Sequence, residues 1–461
     1  MTAHAALAEI WSSAGAPEDL LSDIALTGED PVLPSSFKIG LAAQVSIGAS
    51  ALAAADLWRL RSGRRQAVSV DRRHAAIEFR SERYLRVEGK SMPEPWDKIA
   101  GLYRCGECFV RLHTNFPHHR DGILALLKCA HDRDAVAKAL RSWNAFAFEE
   151  RAAEAGMVVA ALRSFREWDK HPQAKALAEL PLVAIEKIGE APPMKLPPAR
   201  RPLSHVRVLD LTRVIAGPVC GRTLAAHGAD VLLVTAKHLP SIEQLVIDTG
   251  RGKRSTSLDL RDEAQKQTFR ELLSKADLLV QGYRPDAIAS LGFGPTEAAR
   301  LRPGIVYVTL SAYGQAGPWR ARRGFDSLVQ TASGFNDAEA RAAGTDLPKP
   351  LPAQALDHAT GYLMAFGAMT ALARRAREGG SWHVQLSLAR TAQWLRSLGR
   401  FENGFACADP GEEDVTDCLE ETPSGFGRLR AVRHAAILAE TPARWEGPSV
   451  PLGTDAPVWD D

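Results

Sequence analysis

One acidic residue stands out by its placing. Asp357 lies in the run Pro352-Ala353-Gln354-Ala355-Leu356-Asp357-His358-Ala359-Thr360-Gly361, whose pattern predicts the opening of a helix. A carboxylate is a weak nucleophile, yet it can divide a difficult exchange into easier covalent steps. An acid at a helix start is also a common cap, and there the dipole is expected to keep it ionised. The chain carries that helix a second time near position 40. Gln44-Val45-Ser46 through Ser62-Gly63 to Val68-Ser69-Val70 aligns with Thr360-Gly361-Tyr362 through Glu378-Gly379 to Val384-Gln385-Leu386, and Leu41 then stands where Asp357 stands. Two copies of one unit, only one bearing the acid, imply a duplicated enzyme with a chemically silent copy.

Other chemistry-bearing groups are weaker. Cys105-Gly106-Glu107-Cys108 has the spacing of half a zinc site, but no second pair follows at a suitable distance. His113, His118 and His119 read as strand end and loop, so a metal-free hairpin is expected. No G-x-G-x-x-G follows the strand at 206–211, which argues against nicotinamide or flavin. No nucleophile-elbow serine is present.

The elements that must position these groups fall into blocks. With 461 residues, 45% hydrophobic and 24% charged, the chain reads as several globular units. A net charge of +2 gives no reason to expect nucleic acid or a membrane surface. The apolar stretch 39–58 holds Gln44, Ser46, Ser50 and Asp56 and reads as a packed helix rather than a membrane span. Six scattered cysteines and no basic flank before an apolar core at Met1-Thr2-Ala3-His4-Ala5 make a reducing cytoplasm the expected compartment. Residues 1–75 form the N-terminal helical copy, 76–190 a small α+β domain and 191–202 a Pro-rich linker. Residues 203–400 alternate short apolar strands with helices, which predicts a doubly wound parallel sheet. Residues 148–161 are expected to be helical, and 401–461 to wrap the surface as a tail.

Residues 208–218, Val-Leu-Asp-Leu-Thr-Arg-Val-Ile-Ala-Gly-Pro, resemble the opening of the class III CoA-transferases, which include formyl-CoA transferase and the carnitine and bile-acid CoA-transferases. Matches follow in order: 224–234, Gly252-Lys253-Arg254-Ser255, Leu258-Asp259-Leu260, 276–280 with Tyr283-Arg284-Pro285, Leu291-Gly292-Phe293, 311–318, Gly324-Phe325-Asp326 and the Asp357 segment. The likeness covers about 203–400, while 38–180 resembles the later part of the same family's unit, so the order is permuted.

The resemblance implies a Rossmann-like sheet with a smaller α+β domain, and CoA transfer between an acyl-CoA thioester and a carboxylic acid. It implies Asp357 as nucleophile, passing through an aspartyl anhydride and an aspartyl-CoA thioester. Val214, Ile215 and Ala216 would lie against the nucleotide, Lys253 and Arg254 near its phosphates, and Tyr283, Arg284 and Arg323 beside CoA. Asp326 falls where a second carboxylate approaches the nucleophile. Acyl-CoA and an acceptor acid would be substrates, with no permanently bound cofactor, and relatives form homodimers. Two readings stay open beside this one. An α-methylacyl-CoA racemase would need a histidine where Phe325 stands, with His358 the nearest substitute. A non-catalytic CoA-ester-binding partner would need neither.

Overall fold

Two helices of equal length run side by side through the protein. In the computed structural model, which describes residues 1–459, they are Ile39–Ser62 and Ala355–Glu378, 24 residues each. Their first residues, last residues and closing glycines, Gly63 and Gly379, are all 316 positions apart, and the glycines share left-handed φ values of 74° and 73°. A glycine stops a helix there because it alone turns left-handed without a Cβ penalty. The two helices pack directly on each other and are buried almost end to end. The first is rich in Ala, Gly and Ser, so apolar surface wraps its circumference rather than one stripe. It is long and apolar enough to cross a membrane, but its most apolar window lies wholly inside the protein.

Each helix feeds a strand and then another helix at the same offset. Val68–Asp71 and Arg72–Glu78 follow the first; Ser381–Ser387 and Leu388–Ser397 follow the second. The strands keep equivalent neighbours. Val68–Asp71 pairs in parallel with Ile24–Thr27 and antiparallel with Ala436–Leu438. Ser381–Ser387 pairs in parallel with Val306–Ser311 and antiparallel with Ala184–Gly189. The N-terminal copy is therefore a three-stranded remnant of the larger sheet.

That larger sheet has seven strands. From one edge they are Lys253–Ser257, Asp230–Thr235, Arg207–Leu211, Leu278–Gln281, Val306–Ser311, Ser381–Ser387 and Ala184–Gly189. The first six are parallel, as the α/β alternation predicts. Numbered along the chain they read 3-2-1-4-5-6, the dinucleotide-fold order, whose direction reverses between Arg207–Leu211 and Leu278–Gln281.

Two block boundaries and one element need correction. Residue 75 falls inside the Arg72–Glu78 helix, which belongs to the N-terminal copy. Ala184–Gly189, assigned to the small domain, closes the large sheet instead, because its backbone completes the edge of Ser381–Ser387. Residues 148–161 are not one helix: Ala145–Glu154 ends before Gly156, at φ 74°, and Val159–Ala161 is a strand.

The small domain folds around its own core of Tyr103, Val110, Leu112, Ile123, Leu140 and Phe148. Its antiparallel sheet is Gly101–Cys105, Cys108–Leu112 and Val159–Ala161. Both hairpin cysteines are free, and burial pushes the Cys105 thiol up to about 12. No cluster of metal-ligating side chains occurs among the described residues. The tail returns to the N-terminal copy, pairing Ala436–Leu438 with Val68–Asp71, and also pairs Gly427–Val432 with Arg86–Val87.

Candidate active site

Ligands in open parallel sheets bind outside the carboxyl ends of the strands where their order reverses. A cavity of about 420 Å³ lies there, lined by the residues after Arg207–Leu211 and Leu278–Gln281. Val214, Ile215 and Ala216 form one wall and Tyr283 and Arg284 another. Arg323 and Phe325 come from the loop before Asp326, and His118 and His119 from the small domain. Asp357 is the one carboxylate on this wall among the described residues, facing five arginines (213, 284, 320, 322 and 323).

Asp357 is the third residue of its helix and is 7% exposed. The helix start has no side-chain cap of its own. Asp326, at the start of the Asp326–Ala332 helix, supplies one from outside. Its Oδ2 accepts the backbone N–H groups of Leu356 at 2.8 Å and Asp357 at 2.9 Å, and its other oxygen accepts from Gln330. The favourable dipole at this helix start is thus spent on Asp326. Burial still pushes Asp326 up to about 6, against those hydrogen bonds. Asp357 is raised well above the carboxylate range by burial, then by the charges of Asp326 and Glu82. The expectation that the helix start would hold its pKa down is overturned, because the amides that would do so are already taken.

The approach of the two walls is set by a glycine. A Cβ at Gly361, one turn after Asp357, would sit 2.5 Å from the Ala216 carbonyl oxygen and 2.7 Å from Val219 Cβ. Gly361→Ala is therefore expected to push the Asp357 helix off the Ala216–Ala226 helix. The cost of such overpacking is about 1–3 kcal/mol, to be read from the urea midpoint, together with weakened ligand binding.

Val214 takes φ 77°, a strained conformation for a β-branched residue. What holds it is the network beneath. Asp210 accepts from the Thr212 backbone at 2.9 Å and hydroxyl at 2.5 Å, and from Lys253 Nζ at 2.8 Å. Lys253 also donates to the Pro218 carbonyl at 2.8 Å.

This changes the part given to the basic pair. Lys253 and Arg254 lie on a strand, not a turn, and neither lines the cavity. Lys253 is buried and ion-paired to Asp210, so it braces the Val214 turn from behind. Arg254 is bonded to Asp230 at 2.9 Å. The charge of Lys253 is paired in the interior, and that of Arg254 is paired at a half-buried position.

The cationic side chains on the cavity wall are Arg284 and Arg323, which the motifs single out, and Arg213, Arg320 and Arg322, which they do not. Arg213 donates to the Pro240 carbonyl at 3.1 Å and lies over the Tyr283 ring. Arg213, Arg284 and Arg323 have no carboxylate within ion-pairing distance among the described residues. Arg320 and Arg322 are paired, with Asp286 and Glu150. Arg323 donates to His119 Nε2 at 3.2 Å, and burial, with His118 and the nearby arginines, drives His119 down to about 3, so it stays neutral. Phe325 stacks on His113 at 3.8 Å. His358 points away from the cavity, to Glu82 at 3.1 Å. Arg213 stood beside the turn motif and could have been noticed there; His118, His119 and Glu82 reach the site only through tertiary folding.

A dinucleotide-type sheet thus carries, at its reversal point, a cationic cavity with a single recessed acid. Residues 203–447 match the model of CoA-transferase family III, and the chain belongs to that family. It is 36% identical over 208 residues to acetyl-coenzyme A transferase nodX of Hypoxylon pulicicidum, covering 44% of this chain and 35% of that one. With an acyl-CoA transferase of Gibberella moniliformis it shares 27% over 421 residues, 80% of this chain and 73% of the relative. The crystal structure of Rv3272 from Mycobacterium tuberculosis is 31% identical, with a TM-score of 0.40, over 43% of this chain and 58% of that one.

Proposed function

We propose that the protein transfers CoA between an acyl-CoA thioester and a carboxylic acid through a covalent intermediate on Asp357. The observation that carries this reading is one recessed carboxylate at the sheet's reversal point, facing five arginines, of which Arg213, Arg284 and Arg323 have no carboxylate partner among the described residues. Relatives with names of this kind, such as succinate–glutarate CoA-transferase of Agrobacterium fabrum, support it.

The steps follow from the groups present. An Asp357 oxygen attacks the thioester carbonyl, the C–S bond breaks, and CoA leaves as thiolate, giving a mixed anhydride. The thiolate then attacks the aspartyl carbonyl and releases the donor acid, leaving an aspartyl-CoA thioester. An acceptor carboxylate attacks that carbonyl and expels the thiolate, which takes the acceptor acyl group and frees Asp357. Each tetrahedral intermediate needs donors fixed in advance. The uncapped start of the Ala216–Ala226 helix and Arg323 stand on the wall to supply them. Arg213 and Arg284 balance the phosphates of CoA. A recessed acid protects the anhydride from water.

Hydroxylamine or borohydride trapping after incubation with an acyl-CoA should place the modification on Asp357, and labelling elsewhere or nowhere would sink the reading. The nucleophile must be ionised, and its pKa is raised. The acid limb of kcat/KM should therefore lie clearly above the ordinary carboxylate range near pH 4, with activity lost as pH falls through it. The racemase reading loses its supports: Phe325 cannot carry a proton and His358 faces away. A cytoplasmic location belongs to the same proposal, in keeping with six free cysteines.

A further inference from the structure

We infer that the N-terminal copy, silent in itself, completes the working site by supplying Glu82, a positioning residue that holds His358 and through it the turn bearing Asp357. The inference rests on Asp357 being the reacting carboxylate.

Glu82 sits in the short Ser81–Tyr84 turn that directly follows the Arg72–Glu78 helix of the N-terminal copy. Its Oε2 lies 3.1 Å from His358 Nε2, and its backbone carbonyl accepts from Gln244 at 2.7 Å, which fixes the turn. His358 Nδ1 is buried with no hydrogen-bond partner among the described residues, so Glu82 is the polar group that orients the ring. Phe79, three residues earlier, stacks on His358 at 5.5 Å and on Tyr362 at 6.1 Å. Tyr362 in turn donates to Glu78 Oε1 at 2.6 Å. Residues 358 and 362 share one face of their helix. The N-terminal copy grips that face over a full turn, and Asp357 projects from beside the grip into the cavity.

Glu82 also brings negative charge. Around Asp357 stand Asp326 on the neighbouring helix, Glu82 from the N-terminal copy, His358 on its own helix, and Arg213, Arg323 and His119 across the cavity. Removing the charge at 82 while keeping the hydrogen-bonding shape should make Asp357 ionise more easily; a purely structural Glu82 would leave its titration unmoved.

The test is to label full-length protein with [13C]aspartate and follow the carboxyl resonance of Asp357, assigned by its loss in Asp357→Asn. Glu82→Gln should lower the midpoint by about half a pH unit or more, shift the acid limb of kcat/KM equally, and leave KM for acyl-CoA within about twofold. Glu82→Asp should restore the wild-type midpoint. A midpoint unmoved in folded Glu82→Gln overturns the inference. His358→Phe fills the same space without the bond; it should lower kcat about tenfold with KM kept, and an unchanged kcat overturns the positioning role even if Glu82→Gln does not fold. The titration needs no substrate, so absence of acyl trapping in the wild type counts against transfer alone.

Discussion

Asp357→Asn is expected to abolish trapping and to slow CoA exchange by at least about a thousandfold, since no other carboxylate lines the cavity among the described residues to form the anhydride. The same change should stabilise the free protein at neutral pH. In the folded state the Asp357 pKa is raised, so the native protein holds its proton more tightly than the unfolded chain does. Stability from this group is present in acid and falls as pH climbs from the unfolded carboxylate value through the folded one. Asparagine removes the ionisation and with it the loss. A melting temperature higher by about 2 °C or more at pH 7.5, with the gain vanishing near pH 4, is the expected pattern. Equal melting curves across that range would show that Asp357 ionises without cost.

The largest loss of stability should come from Arg222→Met. Arg222 is 1% exposed and sits among buried acids, 2.8 Å from Asp248 and 4.0 Å from Glu78. It also donates to Ser81 Oγ at 3.1 Å. Burial pushes Asp248 and Glu78 up, but Arg222, Arg251 and the Ser81 hydrogen bond at Asp248, and His434, Arg222 and the Tyr362 hydrogen bond at Glu78, outweigh it and hold both below the ordinary carboxylate range. Groups with depressed pKa values contribute stability above the unfolded value and lose it as pH falls. Removing one member of a buried ion cluster costs about 3–5 kcal/mol. The exposed Arg396–Asp169 pair, at 2.6 Å, should be worth no more than about 1 kcal/mol by the same urea measurement. Two variants of similar cost would mean that water reaches the Arg222 cluster.

The signals that were legible in the chain are those written in short stretches. Alternating apolar runs announce the parallel sheet, and the helix–glycine–strand pattern announces the repeat down to its closing Gly63 and Gly379. The turn 214–216, Tyr283, Arg284, Arg323 and Asp357 come together on one cavity. Illegible features depend on who the distant neighbour is. Lys253 looks like a phosphate ligand until the strand pairing places Asp210 against it. Asp357 looks like a residue eased by its helix until Asp326 arrives from 31 positions earlier to take the amides. Glu82 carries no local mark at all; its meaning lies 276 positions away, at His358.

The pairing of the two long helices has a consequence for synthesis. Ile39–Ser62 leaves the ribosome early, while the helix that covers it is encoded 316 positions later. At about 5–20 residues per second, the gap lasts on the order of 20–60 s. Through that interval an Ala-rich, largely apolar segment waits without its mate. The nascent chain therefore calls for shielding by a chaperone, and slow translation should favour aggregation over yield.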